Sequence, residues 1–80
     1  MDENFIPLDK LKPGENAIVR NFTVAGSEED YLMELGLMIG TPVRLIKFAP
    51  LGDPIQIKVR NYHLSLRRSE AKSILVEKID

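Results

Sequence analysis

His63 is the only histidine in the chain, and Ser65 and Ser69 are the serines nearest to it in sequence. Nucleophilic catalysis by serine needs a base within hydrogen-bond reach and a further group to orient that base. The period-2 spacing of a strand puts His63 and Ser65 on one face, but no acid accompanies them, so the pair reads as a solvated strand face. Phosphate chemistry fares no better. Gly14, Gly26, Gly36, Gly40 and Gly52 are scattered and nowhere form the G-x-x-x-x-G-K arrangement that cradles a nucleotide. A zinc or iron site draws three or four ligands largely from Cys and His, and this chain has no Cys and one His. The acidic run Glu28-Glu29-Asp30 is accounted for by its place at the positive end of a helix dipole. The reading is a protein with no catalytic centre, no cofactor and no tightly held metal.

Cations remain. Lys58, Arg60, Arg67 and Arg68 lie close in sequence to Tyr62 and His63, a composition that in small barrels can bind RNA by stacking and charge. Against that stand a formal net charge of −1, from 11 basic and 12 acidic residues, and a content of two Tyr and three Phe. Lysine and arginine stems covering apolar surface explain the strip without nucleic acid.

The elements that would position these residues are short. Leu8 and Leu11, three apart and followed by Pro13-Gly14, read as one helical turn closed by a β-turn after a loose lead-in. A first strand runs over 15–23, with an imperfect alternation of Ile18, Val19 and Phe22 that suits a strongly bent strand. A helix follows over 25–37. Ser27 is placed to cap it, Tyr31, Leu32 and Leu35 share its buried face, Gly36 supplies a left-handed stop, and Leu37 folds back on Leu32. Strands are expected over 40–49 and 54–60. In the latter Ile55, Ile57 and Val59 alternate with Gln56, Lys58 and Arg60, so one face only is buried. The turn between them, Pro50-Leu51-Gly52-Asp53-Pro54, has ordinary hairpin chemistry. Asn61 is expected to take positive φ before a fourth strand carrying Tyr62, Leu64 and Leu66. A short helical turn over 67–74 and a fifth strand, ILVEKI, complete the order.

Eighty residues with 44% apolar content suffice for one domain, 1–80, although a chain this short has a thin stability margin. The absence of cysteine suits a reducing compartment. No apolar run approaches a membrane span, and the acidic start MDENFIPLDK lacks a signal-peptide core, so a soluble intracellular protein is expected. Five short strands in so small a chain curl into a mainly β barrel.

The stretch APLGDPIQIKVRNYHLSLRRSEAKSILV resembles the FeoA family of small cytosolic proteins associated with bacterial ferrous iron transport. The resemblance is carried by Pro50-Leu51-Gly52-Asp53-Pro54-Ile55, Leu64-Ser65-Leu66-Arg67-Arg68, Glu70-Ala71, Ile74 and Val76. ELGLMIGTPV and PLDKLKPGENAIV extend it upstream, so it covers about 8–76. It implies an SH3-like five-stranded barrel with one short helix and one or two helical turns. It also implies a non-enzymatic accessory role on the cytosolic side of a membrane ferrous iron transporter that carries a GTP-binding domain, and a cytoplasmic location made peripheral through that partner. Neither nucleic acid nor insertion into the membrane is expected, and weak self-association is left open. The alternative is a stand-alone SH3-like regulatory or scaffold domain, related to the C-terminal domain of iron-dependent repressors. Asn61 stands where such chains commonly have Gly, and the helix start is acidic where they often carry Arg.

The residues expected to meet the partner are Met33 and Met38, with Arg60, Arg67 and Arg68 as a basic strip. Met33 is two residues from both Tyr31 and Leu35 and so points away from their face. Met38 follows the Gly36 stop. Flexible thioether side chains suit adaptable binding surfaces.

Overall fold

In the computed structural model, which describes residues 4–79, the strand of cleanest alternation lies one place in from an edge of the sheet. Ile55, Ile57 and Val59 are fully buried while Gln56, Lys58 and Arg60 are exposed. This strand, β4 (Ile55–Val59), lies between β3 (Pro42–Phe48) and β5 (Tyr62–Leu66), antiparallel to both. The full sheet has six strands in the order β1-β6-β2-β3-β4-β5, with β1 Phe5–Pro7, β2 Asn16–Phe22 and β6 Ile74–Ile79. Helix α1 (Ser27–Glu34) connects β2 to β3, and α2 (Arg68–Lys72) connects β5 to β6. A 3-10 turn, Leu8–Lys10, follows β1.

Two irregularities give β2 and β3 their bend. The register of β2 against β6 shifts between Val19 and Asn21, and that of β3 against β4 shifts between Leu45 and Lys47. Each bulge adds one residue and increases local twist. In β2 it also changes the phase of alternation, so Ala17 and Val19 point inward and so does Phe22, three further on. The uneven apolar spacing of this segment is therefore the signature of the bulge. A single cluster fills the interior, with Leu8, Leu37, Leu45, Ile57, Leu66, Ile74 and Val76 among its members. Each such aliphatic side chain contributes roughly 1.5–3 kcal/mol when fully buried.

The structure departs from the sequence reading at five places. First, the described residues form six strands, because Phe5–Pro7 pairs with β6 (Phe5 opposite Glu77, Pro7 opposite Leu75) instead of forming a loose lead-in. A three-residue strand ending in proline has too few alternations to show a period. Second, β1 and β5 are the sheet's edges and do not pair with each other, so the barrel is open.

Third, Ser27 does not cap α1. It is the first helical residue, and Gly26, at φ 68°, holds the N-cap position without a side-chain bond. Fourth, α1 buries Leu32 alone among its residues. Tyr31 is 48% exposed and Leu35 half-buried, because a two-turn helix offers the core only one ridge. The C-terminal stop is as expected. Gly36 N–H donates to Met33 O at 2.9 Å and Leu37 N–H to Leu32 O at 3.2 Å, with Gly36 at φ 98°, which is the Schellman arrangement. Leu37, fully buried, shares the core with Leu32.

Fifth, the positive φ of the β4–β5 hairpin belongs to Arg60, at 55°, and not to Asn61. Val59 faces Tyr62, which leaves a two-residue turn with positive φ at its first position, as type II′ turns require. The favourable tolerance of Asn was assigned one residue too late. Arg60→Gly is accordingly expected to raise stability by up to about 1 kcal/mol by relieving the left-handed backbone, while Asn61→Gly gains nothing. Urea midpoints of the two variants check this, and the opposite order would contradict it.

The turn over 50–54 proves to be an anchoring point as well as a link. Gly52 N–H donates to Ala49 O at 2.7 Å, and the Asp53–Pro54 peptide is cis. The carboxylate of Asp53 accepts from Arg68 N–H at 3.0 Å at the start of α2. The Arg68 guanidinium lies 5.3 Å over the Phe48 ring and reaches both Gly52 O and Asp9 Oδ2 at 3.4 Å. One side chain thus joins the β3–β4 turn, α2 and the 3-10 turn.

Candidate functional site

Four of the seven exposed large hydrophobic side chains of the described residues belong to α1 and the loop that leaves it, the others being Leu51, Tyr62 and Ile79. Met33 is 37% exposed and Met38 46%, as the spacing argument expects. Tyr31 and Ile39 are exposed beside them in sequence. From across the sheet Tyr62 joins this end of the helix, since its hydroxyl donates to Leu35 O. Tyr62 fixes where the Schellman turn sits, and the turn fixes where Met38 and Ile39 emerge. Sequence reasoning missed Tyr31, Ile39 and Tyr62. For Tyr31 the helical period pointed inward and was overruled by the shortness of α1. Ile39 carries no periodic signal at all.

Carboxylates surround this apolar surface. Glu28, Glu29, Asp30 and Glu34 lie on α1, and the chain has no lysine or arginine between Arg20 and Arg44. The first three sit at the positive end of the helix dipole. Glu34 does not, because it stands in the last turn, where a cation is favoured. Between α1 and α2 a cleft of about 290 Å³ opens, lined by Val24, Tyr31, Leu32 and the hydroxyls of Ser27, Ser69 and Ser73.

The three arginines expected to form a basic strip are not brought together. Met33 and Met38 stand at the α1 end. Arg60 occupies the β4–β5 turn, whereas Arg67 and Arg68 follow the far end of β5. A five-residue strand separates them by roughly 16 Å. Arg67 is exposed, and its backbone N–H donates to Glu70 Oε1 at 2.9 Å, which steadies the first turn of α2. The Arg68 guanidinium is committed to Asp9, Gly52 and Phe48.

His63 is exposed on β5, and its neighbour Ser65 has no orienting acid beside it in the register, where His63 faces Lys58 and Ser65 faces Gln56. Among the described residues no three His, Cys, Asp or Glu side chains are grouped to hold a metal ion. No helix among them is long and apolar enough to cross a membrane. Glu15, at the start of β2, accepts from Lys12 N–H at 2.8 Å and from Lys78 Nζ at 3.1 Å. The Lys12 bond, followed by the Lys78 ammonium, holds its carboxyl below the usual glutamate range.

With this geometry in hand the chain can be set beside known proteins. The model of the FeoA domain matches residues 6–78. A Porphyromonas gingivalis protein, a fusion of Fe(2+) transport protein A with the Fe(2+) transporter FeoB, is 32% identical over 72 residues, covering 90% of this chain. The match takes in 8% of that relative's length. Among solved structures, an FeoA-like protein from Clostridium acetobutylicum superposes with a TM-score of 0.89 at 34% identity, covering 99% of this chain and 92% of the other. The FeoA of Stenotrophomonas maltophilia, described as an SH3 domain protein and solved with zinc, gives 0.75 at 30% identity, with 88% and 87% covered. A manganese-dependent transcriptional repressor reaches a TM-score of 0.88 at 15% identity over 38% of its chain, which shows a shared fold alone. The open six-stranded sheet is thus SH3-like, and with the family model matched over nearly its whole length this chain belongs to the FeoA family.

Proposed function

We propose that this chain is a non-enzymatic accessory protein of bacterial ferrous iron transport, cytoplasmic and held at the membrane's inner face by its partner. The partner is the cytosolic part of a ferrous iron transporter with a GTP-binding domain, whose activity the chain modulates. The observation that carries this reading is the Porphyromonas gingivalis relative, in which a segment 32% identical to this chain is joined to FeoB. Covalent joining raises the effective concentration of two modules that act together. The family and the SH3-like fold agree with an interaction module, and the constellation of residues supplies no nucleophile–base–acid set.

The contact surface we assign is the α1 end, with Met33 and Met38 as its adaptable apolar part and Glu28, Glu29 and Glu34 as a charged rim. It calls for a partner surface that is apolar at its centre and basic around it. Capture of the transporter's purified cytosolic region by the immobilised chain tests both steps. Met33→Glu with Met38→Glu should leave Tm within a few degrees, since both side chains are exposed, and should weaken capture about tenfold or more. Failure of the unaltered chain to capture that region counts against the function. Capture that is undiminished by a folded double variant leaves the function standing and moves the surface away from α1.

A further inference from the structure

Outward-facing residues of five adjacent strands fall into one row. Ile79 faces Asn16, Asn16 faces Arg44, Arg44 faces Lys58 and Lys58 faces His63. Facing side chains of this kind stand about 5 Å apart at Cβ. Arg60, two residues beyond Lys58, shares that side of β4. Together Asn16, Arg44, Lys58 and Arg60 line a cleft of about 260 Å³, with Pro42 and Ile79 as apolar walls.

Among the described residues no carboxylate lines this cleft. Described acids of the neighbouring elements are committed elsewhere: Glu15 to Lys78, Glu77 to Arg20, Asp9 and Asp53 to Arg68, and Glu70 to the Arg67 amide. None of Arg44, Lys58 and Arg60 forms an ion pair among the described residues. Like charges facing each other across strands destabilise a sheet. The backbone adds a second cost at the same place, because Arg60 takes a left-handed φ that a glycine would adopt freely. Two unfavourable local choices converge on one concavity, and neither has a return within the fold.

We propose that the Arg44–Lys58–Arg60 cleft is a binding site for the carboxylates of an acidic peptide segment of a partner protein. Two guanidinium forks provide bidentate partners for carboxylates, Lys58 adds a point charge between them, and Asn16 offers an amide. Pro42 and Ile79 give the aliphatic part of an acidic side chain something to lie on. A bilayer meets a flat or convex face, and this site is recessed. Nucleic acid needs a wider basic field than a chain of net charge −1 presents. The site is distinct from the α1 surface, which is acidic, so a partner engaging both must offer charge of opposite sign at two places.

The test uses the whole isolated chain and a short oligoglutamate peptide as probe, followed in amide NMR spectra at low salt. Saturable shifts are expected at Asn16, Arg44, Lys58, Arg60 and His63. Arg44→Gln with Lys58→Gln and Arg60→Gln should weaken binding about tenfold or more, whereas Lys10→Gln with Lys12→Gln and Lys72→Gln, an equal loss of charge elsewhere, should change it less than about twofold. The dispersion of each variant's spectrum shows that it remains folded. Equal weakening by both triples overturns the site in favour of diffuse attraction, and so does an absence of saturable shifts. Inorganic phosphate binding more tightly than the peptide at the same residues makes it a small-oxyanion site. Binding to phosphatidylglycerol vesicles without binding to the peptide makes it a membrane contact. Either result rejects the peptide assignment.

Discussion

Gly36→Ala should lower stability by roughly 3 kcal/mol, because two separate costs meet at one position. Gly36 has φ 98°, where an L side chain is strained by about 1–2 kcal/mol. A Cβ there would also run into the Tyr62 hydroxyl, which donates to the carbonyl of the preceding Leu35. To make room, the Tyr62 ring must move and give up a hydrogen bond with a net value of about 1 kcal/mol. In a domain this small the total corresponds to a fall in Tm of roughly 15 °C. Tyr62→Phe separates the two costs. It removes the hydroxyl and should itself cost about 1 kcal/mol. In the Phe background, Gly36→Ala should then cost only the backbone part, which a double-mutant cycle in urea reads directly. Equal costs in both backgrounds would show that the hydroxyl and the glycine are not coupled.

Arg68→Ala should cost about 2 kcal/mol, with most of the loss arising at Asp9. The Asp9 carboxylate is 2% exposed, its Oδ1 has no hydrogen-bond partner, and its Oδ2 faces Arg68 Nε at 3.4 Å. Removing one member of a fully buried pair costs roughly 3–5 kcal/mol, but here the arginine side chain is 42% exposed and water screens it, so the smaller figure applies. The cation over Phe48 and the bond to Gly52 are lost as well. Arg68→Ala combined with Asp9→Asn should recover more than half of the loss, since no uncompensated charge then remains in the interior. If the double variant is less stable than Arg68→Ala alone, Asp9 matters for its packing and not for its charge.

These two sites show where the sequence was readable and where it was not. The Leu32–Gly36–Leu37 stop was legible because it rests on bonds between residues at most five apart. The alternation of β4 was legible because one strand carried the whole signal. The role of Arg68 was not, since its partners Asp9, Phe48 and Gly52 are brought to it only by the tertiary fold. Tyr31 misled because helical period says which residues share a face, and not how much of that face a two-turn helix can bury. Arg60 and Asn61 were confused because turn composition marks a turn without fixing its type. Arg44 escaped notice as a site residue for a related reason. It lies 14 positions before Lys58, and only the β3–β4 register places the two side by side.

The pairing of β1 with β6 has a practical consequence. Phe5 faces Glu77 across the ladder, so the chain enters and leaves the domain at one corner. A module built this way behaves as a cassette: it can be spliced onto another polypeptide, or into one of its loops, without stretching either flank. A short glycine–serine bridge across that corner would permit circular permutation, with the new ends opened in the exposed turn over 50–54 on the Leu51 side, away from the Arg68 contacts. The same corner leaves the α1 surface and the basic cleft on the body of the cassette, where a tether attached at β1 or β6 does not cover them by sequence adjacency except beside Ile79. A fusion made through β1 therefore keeps both faces open, whereas one made through β6 crowds the cleft at its apolar wall.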